Sequence, residues 1–209
     1  MIAAFLVLRL RSILGKRQGF ERPPEVRPAP DLRVVADNGP APATNSSGPA
    51  SPGRALPDPT GPIGGALVAM QALDPSFHPG HFLDGAEAAF RMIVSAFAAG
   101  DRAALRPLLS DDTWRAFDGA ITAREQAGAT QRTEIRSVDR AAIEQAELRN
   151  GTALITVHFT SDQVNLTVGR DDLPTAGTDA VTEIKDLWTF ERALASPDPT
   201  WRLVAARSA

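Results

Sequence analysis

Cysteine and tyrosine are both missing from this chain of 209 residues. Without cysteine there is no disulfide framework, no thiolate zinc site and no cysteine nucleophile. Without tyrosine there is no phenol to donate to an oxyanion. Lysine is scarce too: Lys16 and Lys185 are the only two, and arginine carries nearly all the positive charge. Three histidines, His78, His81 and His158, leave little material for a metal site or a general base. A glycine-rich phosphate loop is also lacking, since Gly64-Gly65 has neither the lysine nor the preceding strand that a nucleotide site requires.

The charge that is present is unevenly divided. Residues 1–62 hold eight Lys/Arg against five Asp/Glu, a net +3, and residues 63–209 hold fourteen against twenty, a net −6. A domain of that sign repels a phosphate backbone, which argues against nucleic acid as a partner.

The first twenty residues concentrate apolar and basic side chains. Ile2-Ala3-Ala4-Phe5-Leu6-Val7-Leu8 passes directly into Arg9, Arg11, Lys16 and Arg17, with no acid before Glu21. A secretory signal carries its positive charge ahead of the apolar run, and here the order is reversed. A spanning helix needs about 20 apolar residues, more than Met1 to Leu14 supplies. Segment 1–20 therefore reads as an interfacial helix, or as the end of a longer spanning one. Its membrane-anchoring residues are Ile2, Phe5, Leu6, Val7, Leu8, Arg9, Arg11, Lys16 and Arg17. The basic members suit an anionic lipid surface, at roughly 1 kcal/mol each. Where the segment is the end of a longer spanning helix, the positive-inside rule places the following domain on the cytoplasmic side of an inner membrane.

Residues 21–62 read as a disordered linker. Eleven of the seventeen prolines lie between Pro23 and Pro62. Proline fixes φ and supplies no amide donor, so helix and sheet are both penalised. A stretch so poor in large apolar side chains cannot offset the entropy of folding.

Residues 63–209 read as one α+β domain. Gly64–Leu73 predicts a short helix ended by Asp74-Pro75. Pro79 suits a first helical turn, and Phe82, Ala86, Phe90, Ile93 and Phe97 then recur on one helical face. Gly100 closes that helix, and Asp101 caps a short one carrying Leu105, Leu108 and Leu109. Ser110 with Asp111 and Asp112 starts a third, whose buried stripe is Trp114, Phe117 and Ile121. Glu134–Leu148 suggests an interrupted or bulged strand pair. Ala153, Ile155, Val157 and Phe159 alternate clearly, and Val164, Leu166 and Val168 extend them after a bulge. Leu173–Gly177 reads as a loop, Ile184–Arg192 as a strand with Trp188 and Phe190 on one face. Trp201, Leu203 and Ala205 return on the last strand. Helices first and strands afterwards predict helices packed on one face of an antiparallel sheet.

Two stretches carry a family resemblance. Phe82-Leu83-Asp84-Gly85-Ala86, Ala89-Phe90, Ile93-Val94 and Ala96-Phe97-Ala98-Ala99-Gly100-Asp101 form the first. Asp186 to Arg192 and Ser196 to Ala205 form the second. Together they resemble the Tim44-like domain, found in the membrane adaptor of the mitochondrial import motor and in bacterial adaptors of the TimA type. The resemblance implies a curved sheet of the cystatin-like or nuclear-transport-factor-like cone, with an apolar pocket between helices and sheet. It implies a tether acting through lipid contact and a protein partner, without catalysis or cofactor. Two departures stand out: the apolar start is shorter than a membrane span, and His78 stands where relatives often carry an acidic cap.

For chemistry the sequence offers little. His78 and His81 flank Pro79-Gly80 without an obvious third ligand, so no metal is expected. His158 sits on a strand face as a structural histidine, and Asp84 and Asp186 read as solvent-facing or turn carboxylates. Phe90, Phe97, Trp114, Trp188 and Phe190 are core by spacing, and in this fold they are candidates to line a groove for an acyl chain or peptide. The leading expectation is a non-enzymatic, membrane-tethered adaptor binding anionic lipid and a protein partner, in protein transport or membrane protein quality control. The alternative is a soluble cone-fold small-ligand module or isomerase-like enzyme.

Overall fold

The computed structural model describes residues 56–209. The anchoring residues expected in 1–20, and nearly all of the linker, lie outside the described residues.

Four helices precede four strands: α1 (Pro62–Leu73), α2 (Pro79–Ala99), α3 (Arg102–Leu105) and α4 (Asp111–Gln126), then β1 (Thr130–Arg149), β2 (Thr152–Val168), β3 (Pro174–Ala193) and β4 (Arg202–Ser208). The strands form one antiparallel sheet in the order β1-β2-β3-β4, with the helical core residues gathered against one face of it. The fold is α+β, as the order of periodicities predicts.

The helix ends follow local chemistry. Proline opens α1 and α2, where the missing N–H has no helical partner in any case. His78 precedes α2 with no side-chain cap. Asp101 accepts from the Ala104 N–H at 3.0 Å, and Ser110 from the Thr113 N–H at 3.3 Å. Arg102 fastens α3 to α4, reaching Asp118 at 2.6 Å and both carboxylate oxygens of Glu125 at 2.9 Å.

The core is aromatic. Phe90, Phe117, Phe159 and Phe190 are essentially inaccessible, and burying each contributes on the order of 1.5–3 kcal/mol. Phe90 of α2 stacks on Phe159 of β2 at 4.5 Å and meets Trp188 of β3 edge-on at 4.8 Å.

Four expectations need correction. Glu134–Leu148 lies within one continuous strand, not a strand pair. Its pairing with β2 slips at Arg136, Asp139 and Glu144, each an extra residue on β1. Such bulges bend a strand and raise its twist, which curves the sheet around the helices. Secondly, Thr175–Gly177 is strand, with Gly177 opposite Leu166 and Ala176 opposite Thr167. Pro174 is tolerated because it stands at the first position of the strand. Thirdly, β2 keeps its alternation on β1 from Gln163 to Val168, so Val164, Leu166 and Val168 face away from the helices. Fourthly, Val204 is an extra residue against β3, so Ala206 joins Leu203 in the core in place of Ala205.

Candidate functional site

The inward side of β2 changes character halfway along. Ala153, Ile155, Val157 and Phe159 are wholly buried and apolar. The next inward positions are Ser161, Gln163, Asn165 and Thr167. Ser161 is 0% and Gln163 4% exposed. Past Phe159 the helices therefore face a polar strand, and the sheet does not close on them.

A cavity of about 300 Å³ fills this gap. Ile93, Val94 and Phe97 of α2, Phe117 of α4, and Ile184 and Trp188 of β3 form its apolar side. Gln131 and Thr133 of β1, Gln163 and Asn165 of β2, and Thr178 and Thr182 of β3 form its polar side, with Glu183 and Asp186 completing the lining.

Gln131, Thr133, Asn165 and Gln163 of the polar side are joined in a single hydrogen-bonded chain. Arg124 Nη1 donates to Gln131 Oε1 at 2.6 Å. Gln131 Nε2 donates to the Thr133 hydroxyl at 3.1 Å, and that hydroxyl donates to Asn165 Oδ1 at 2.7 Å. Asn165 Nδ2 donates to Gln163 Oε1 at 3.2 Å, and Gln163 Nε2 to Ser161 at 2.8 Å. Arg124 is held from behind: its Nη2 donates to the carbonyls of Phe97 and Ala98 at 2.9 and 3.1 Å, at the end of α2. Its guanidinium also lies 5.3 Å from the centre of the Phe97 ring. Burial pulls the Arg124 guanidinium below the ordinary arginine value, with the neighbouring Arg102 acting the same way and Glu125 opposing.

The residues expected to line a groove are dispersed. Phe97 and Trp188 line this cavity. Phe190 lines a second depression with Phe82 and Trp201, whose rings lie 4.7 Å apart. Phe90 is sealed in the core. Trp114 is half-buried on α4 with the Arg106 guanidinium 5.7 Å from its ring centre. Neither Phe90 nor Trp114 is among the residues of the cavity wall. Asp186, expected to face solvent or a turn, sits within β3 and lines the cavity. His78 and His81 meet edge-on at 5.4 Å, both exposed. Among the described residues no group of three or more His, Asp or Glu is placed to hold a metal ion. Sequence reasoning missed Gln131, Thr133, Gln163 and Asn165. The signal was present in Ser161, Gln163, Asn165 and Thr167, which keep the spacing of two set by Ala153–Phe159.

A family model described as the Tim44-like domain matches residues 63–208. The chain belongs to the Tim44-like domain family. Members are membrane-associated adaptors, typically without catalysis, and the amide-lined cavity of this Tim44-like domain lies wholly inside the matched region. Among solved structures, the intermembrane space region of the chloroplast protein ARC6 aligns with a TM-score of 0.48 at 10% identity, covering 63% of this chain and 97% of that one. A search of curated proteins gave no match. Among the described residues, no helix is long and apolar enough to cross a membrane.

Proposed function

We propose that this Tim44-like protein is a non-enzymatic adaptor, tethered by residues 1–20 at the cytoplasmic face of a bacterial inner membrane. The tether leaves the folded domain free to hold a protein partner, in protein transport or membrane protein quality control. The observation that carries the reading is the composition of the cavity. Its wall is chiefly aromatic, aliphatic, amide and hydroxyl, and its carboxylate Glu183 is engaged by Lys185 at 3.1 Å in an exposed ion pair. General acid–base work needs a titratable group and a proton partner aimed at the same reacting atom. A wall built chiefly of amide, hydroxyl and apolar groups is suited to binding.

Fractionation of cells with an alkaline carbonate wash tests the tether. The full chain is expected in the membrane pellet, and a chain lacking residues 1–20 in the supernatant. Full-length protein recovered wholly in the soluble fraction overturns the reading. Proximity labelling with and without residues 1–20 then identifies neighbours that depend on the tether.

A second reading, a small-ligand module or isomerase-like enzyme, has one observation in its favour: Asp186 lies in the cavity beside Trp188. Carbon-13 detection of the Asp186 carboxyl separates the two. A carboxyl titrating well above the usual aspartate range is the signature of a base poised for catalysis, and an ordinary value leaves the adaptor reading in place.

A further inference from the structure

The polar wall of the cavity has a direction. Arginine can only donate, so Arg124 obliges Gln131 to present its oxygen. That choice leaves the Gln131 amide nitrogen to donate to Thr133, the Thr133 proton to go to Asn165, and the Asn165 nitrogen to face Gln163. One guanidinium thus sets the orientation of three side-chain amides. Hydrogen bonds running one way polarise each other, so the wall is held as a unit. Each amide nitrogen keeps a second N–H and each amide oxygen a second lone pair. The wall therefore offers donors and acceptors in alternation, all of them neutral.

Their spacing is that of a strand. Gln163 and Asn165 are two residues apart on β2, which separates them by roughly 6.6 Å along the strand. An extended peptide repeats its same-facing N–H and C=O groups at that same interval. Beside them, Phe97, Phe117 and Trp188 form an apolar recess. At about 300 Å³ the cavity is at the small end of the range for ligand pockets, enough for a large side chain and the main chain that bears it.

Other ligand chemistries fit less well. An acyl chain would strip water from the amides of Gln163 and Asn165 and return no hydrogen bond. An anion would meet the carboxylates Glu183 and Asp186 in the lining, and the nearby Lys185 is already ion-paired with Glu183 at 3.1 Å. Arg124 stands behind the wall with bonds to Gln131, Phe97 and Ala98.

We propose that the cavity binds a neutral, extended segment of a partner protein, with one large apolar side chain between Phe97, Phe117 and Trp188 and its main-chain amides along Gln163 and Asn165. This rests on the adaptor reading and names the chemistry of the partner. The partner's main chain supplies affinity through the amide wall, and its anchor side chain supplies selectivity.

Selection of a random dodecapeptide phage library on the full-length chain tests it. Enriched clones are expected to share one large apolar residue in an uncharged context. Their blocked synthetic versions are expected to shift the side-chain NH₂ resonances of Gln163 and Asn165 and to lose at least tenfold in affinity when alternate peptide nitrogens around the anchor are methylated. Methylation alters the ligand alone, so the result does not depend on a variant folding. Asn165→Leu, where circular dichroism shows it folded, is expected to lose a similar factor. Absence of any enriched clone, indifference to methylation, or a requirement for basic residues overturns the proposal. So does laurate binding that outcompetes every selected peptide, which would assign the cavity to an acyl chain. Fractionation reads the tether independently, so failure here leaves the membrane result standing.

Discussion

Arg192, near the end of β3, places its Nη2 2.8 Å from Oδ2 of Asp74, the residue that ends α1. Both side chains are almost fully buried, at 12% and 11% exposed. Asp74 also accepts from the Ser76 hydroxyl at 2.6 Å and the Ser76 N–H at 2.9 Å. The pair joins the α1–α2 corner to the end of β3. Ser76 first, then the Arg192 guanidinium, hold the Asp74 carboxyl below its ordinary value, against the opposing effect of burial.

A carboxyl whose folded value is depressed stabilises the fold above its unfolded value and loses that contribution as pH falls through the folded one. Asp74→Asn is therefore expected to lower the thermal midpoint at neutral pH. The gap from the wild type should close as pH drops past the ordinary aspartate value of 3.8 towards the lower folded one. Arg192→Met should be worse than the double variant Asp74→Asn/Arg192→Met, because a lone buried charge costs more than a missing pair. Thermal melts across pH check both statements. A gap that widens in acid would contradict the assigned sign.

The bulges of β1 bend the strand that carries Gln131 and Thr133 to the cavity. Asp139 is one extra residue on β1, between Val138 opposite Ser161 and Arg140 opposite Thr160. Its side chain is exposed, so Asp139→Ala is expected to change stability by no more than about 0.5 kcal/mol. Deleting Asp139 is different in kind. It removes the extra residue while Val138 stays opposite Ser161 and Ala141 opposite Phe159, so the faces are kept and what is lost is the local bend and added twist. With β1 less bent around the helices, the expected outcome is an earlier unfolding transition than that of Asp139→Ala and shifted Gln163 and Asn165 side-chain NH₂ signals. Melting and NMR on the two variants side by side check it. Equal stability of the two would mean that the bulge is not needed.

These bulges also explain how much of the fold could be read beforehand. The helices are legible because Phe82, Ala86, Phe90, Ile93 and Phe97 hold one period and the caps Asp101 and Ser110 stand where their hydroxyl or carboxylate is needed. In β1 the core-facing residues are Ile135, Val138, Ala141, Ile143, Ala146 and Leu148. Their spacings are a mixture of threes and twos, which matches neither strand nor helix. The turn after it is better marked than the strand itself: Asn150 and Gly151 both have positive φ, at 49° and 78°, the conformation that favours Asn-Gly in a two-residue hairpin. The cavity was hidden for another reason. Val164, Leu166 and Val168 are apolar at positions facing away from the helices, and Val164 is only 5% exposed. Apolar side chains there imitate a continuing core, while Gln163 and Asn165 between them carry the site. Only the phase carried on from Ala153–Phe159 tells the two sets apart, and hydrophobicity points the other way because the outward one is the greasier.

Gly177 lets β3 pass close over Asn165 through its lack of a side chain. Its φ is +79°, and a Cβ there would lie 2.1 Å from the carbonyl oxygen of Asn165. The contact is with backbone, so no side-chain rotation relieves it. Gly151 gives the control: its φ is nearly the same, +78°, but a Cβ there meets nothing within 4 Å. Gly151→Ala should therefore cost only the left-handed backbone penalty, about 1–2 kcal/mol. Gly177→Ala carries that penalty and also forces β3 away from Asn165, whose side chain bridges Thr133 and Gln163. It is expected to destabilise more than Gly151→Ala in urea melts. It should also shift the side-chain NH₂ resonances of Asn165 and Gln163, while Gly151→Ala leaves them in place. If both alanines cost the same and neither moves those signals, the close passage of β3 over Asn165 does not support the amide wall.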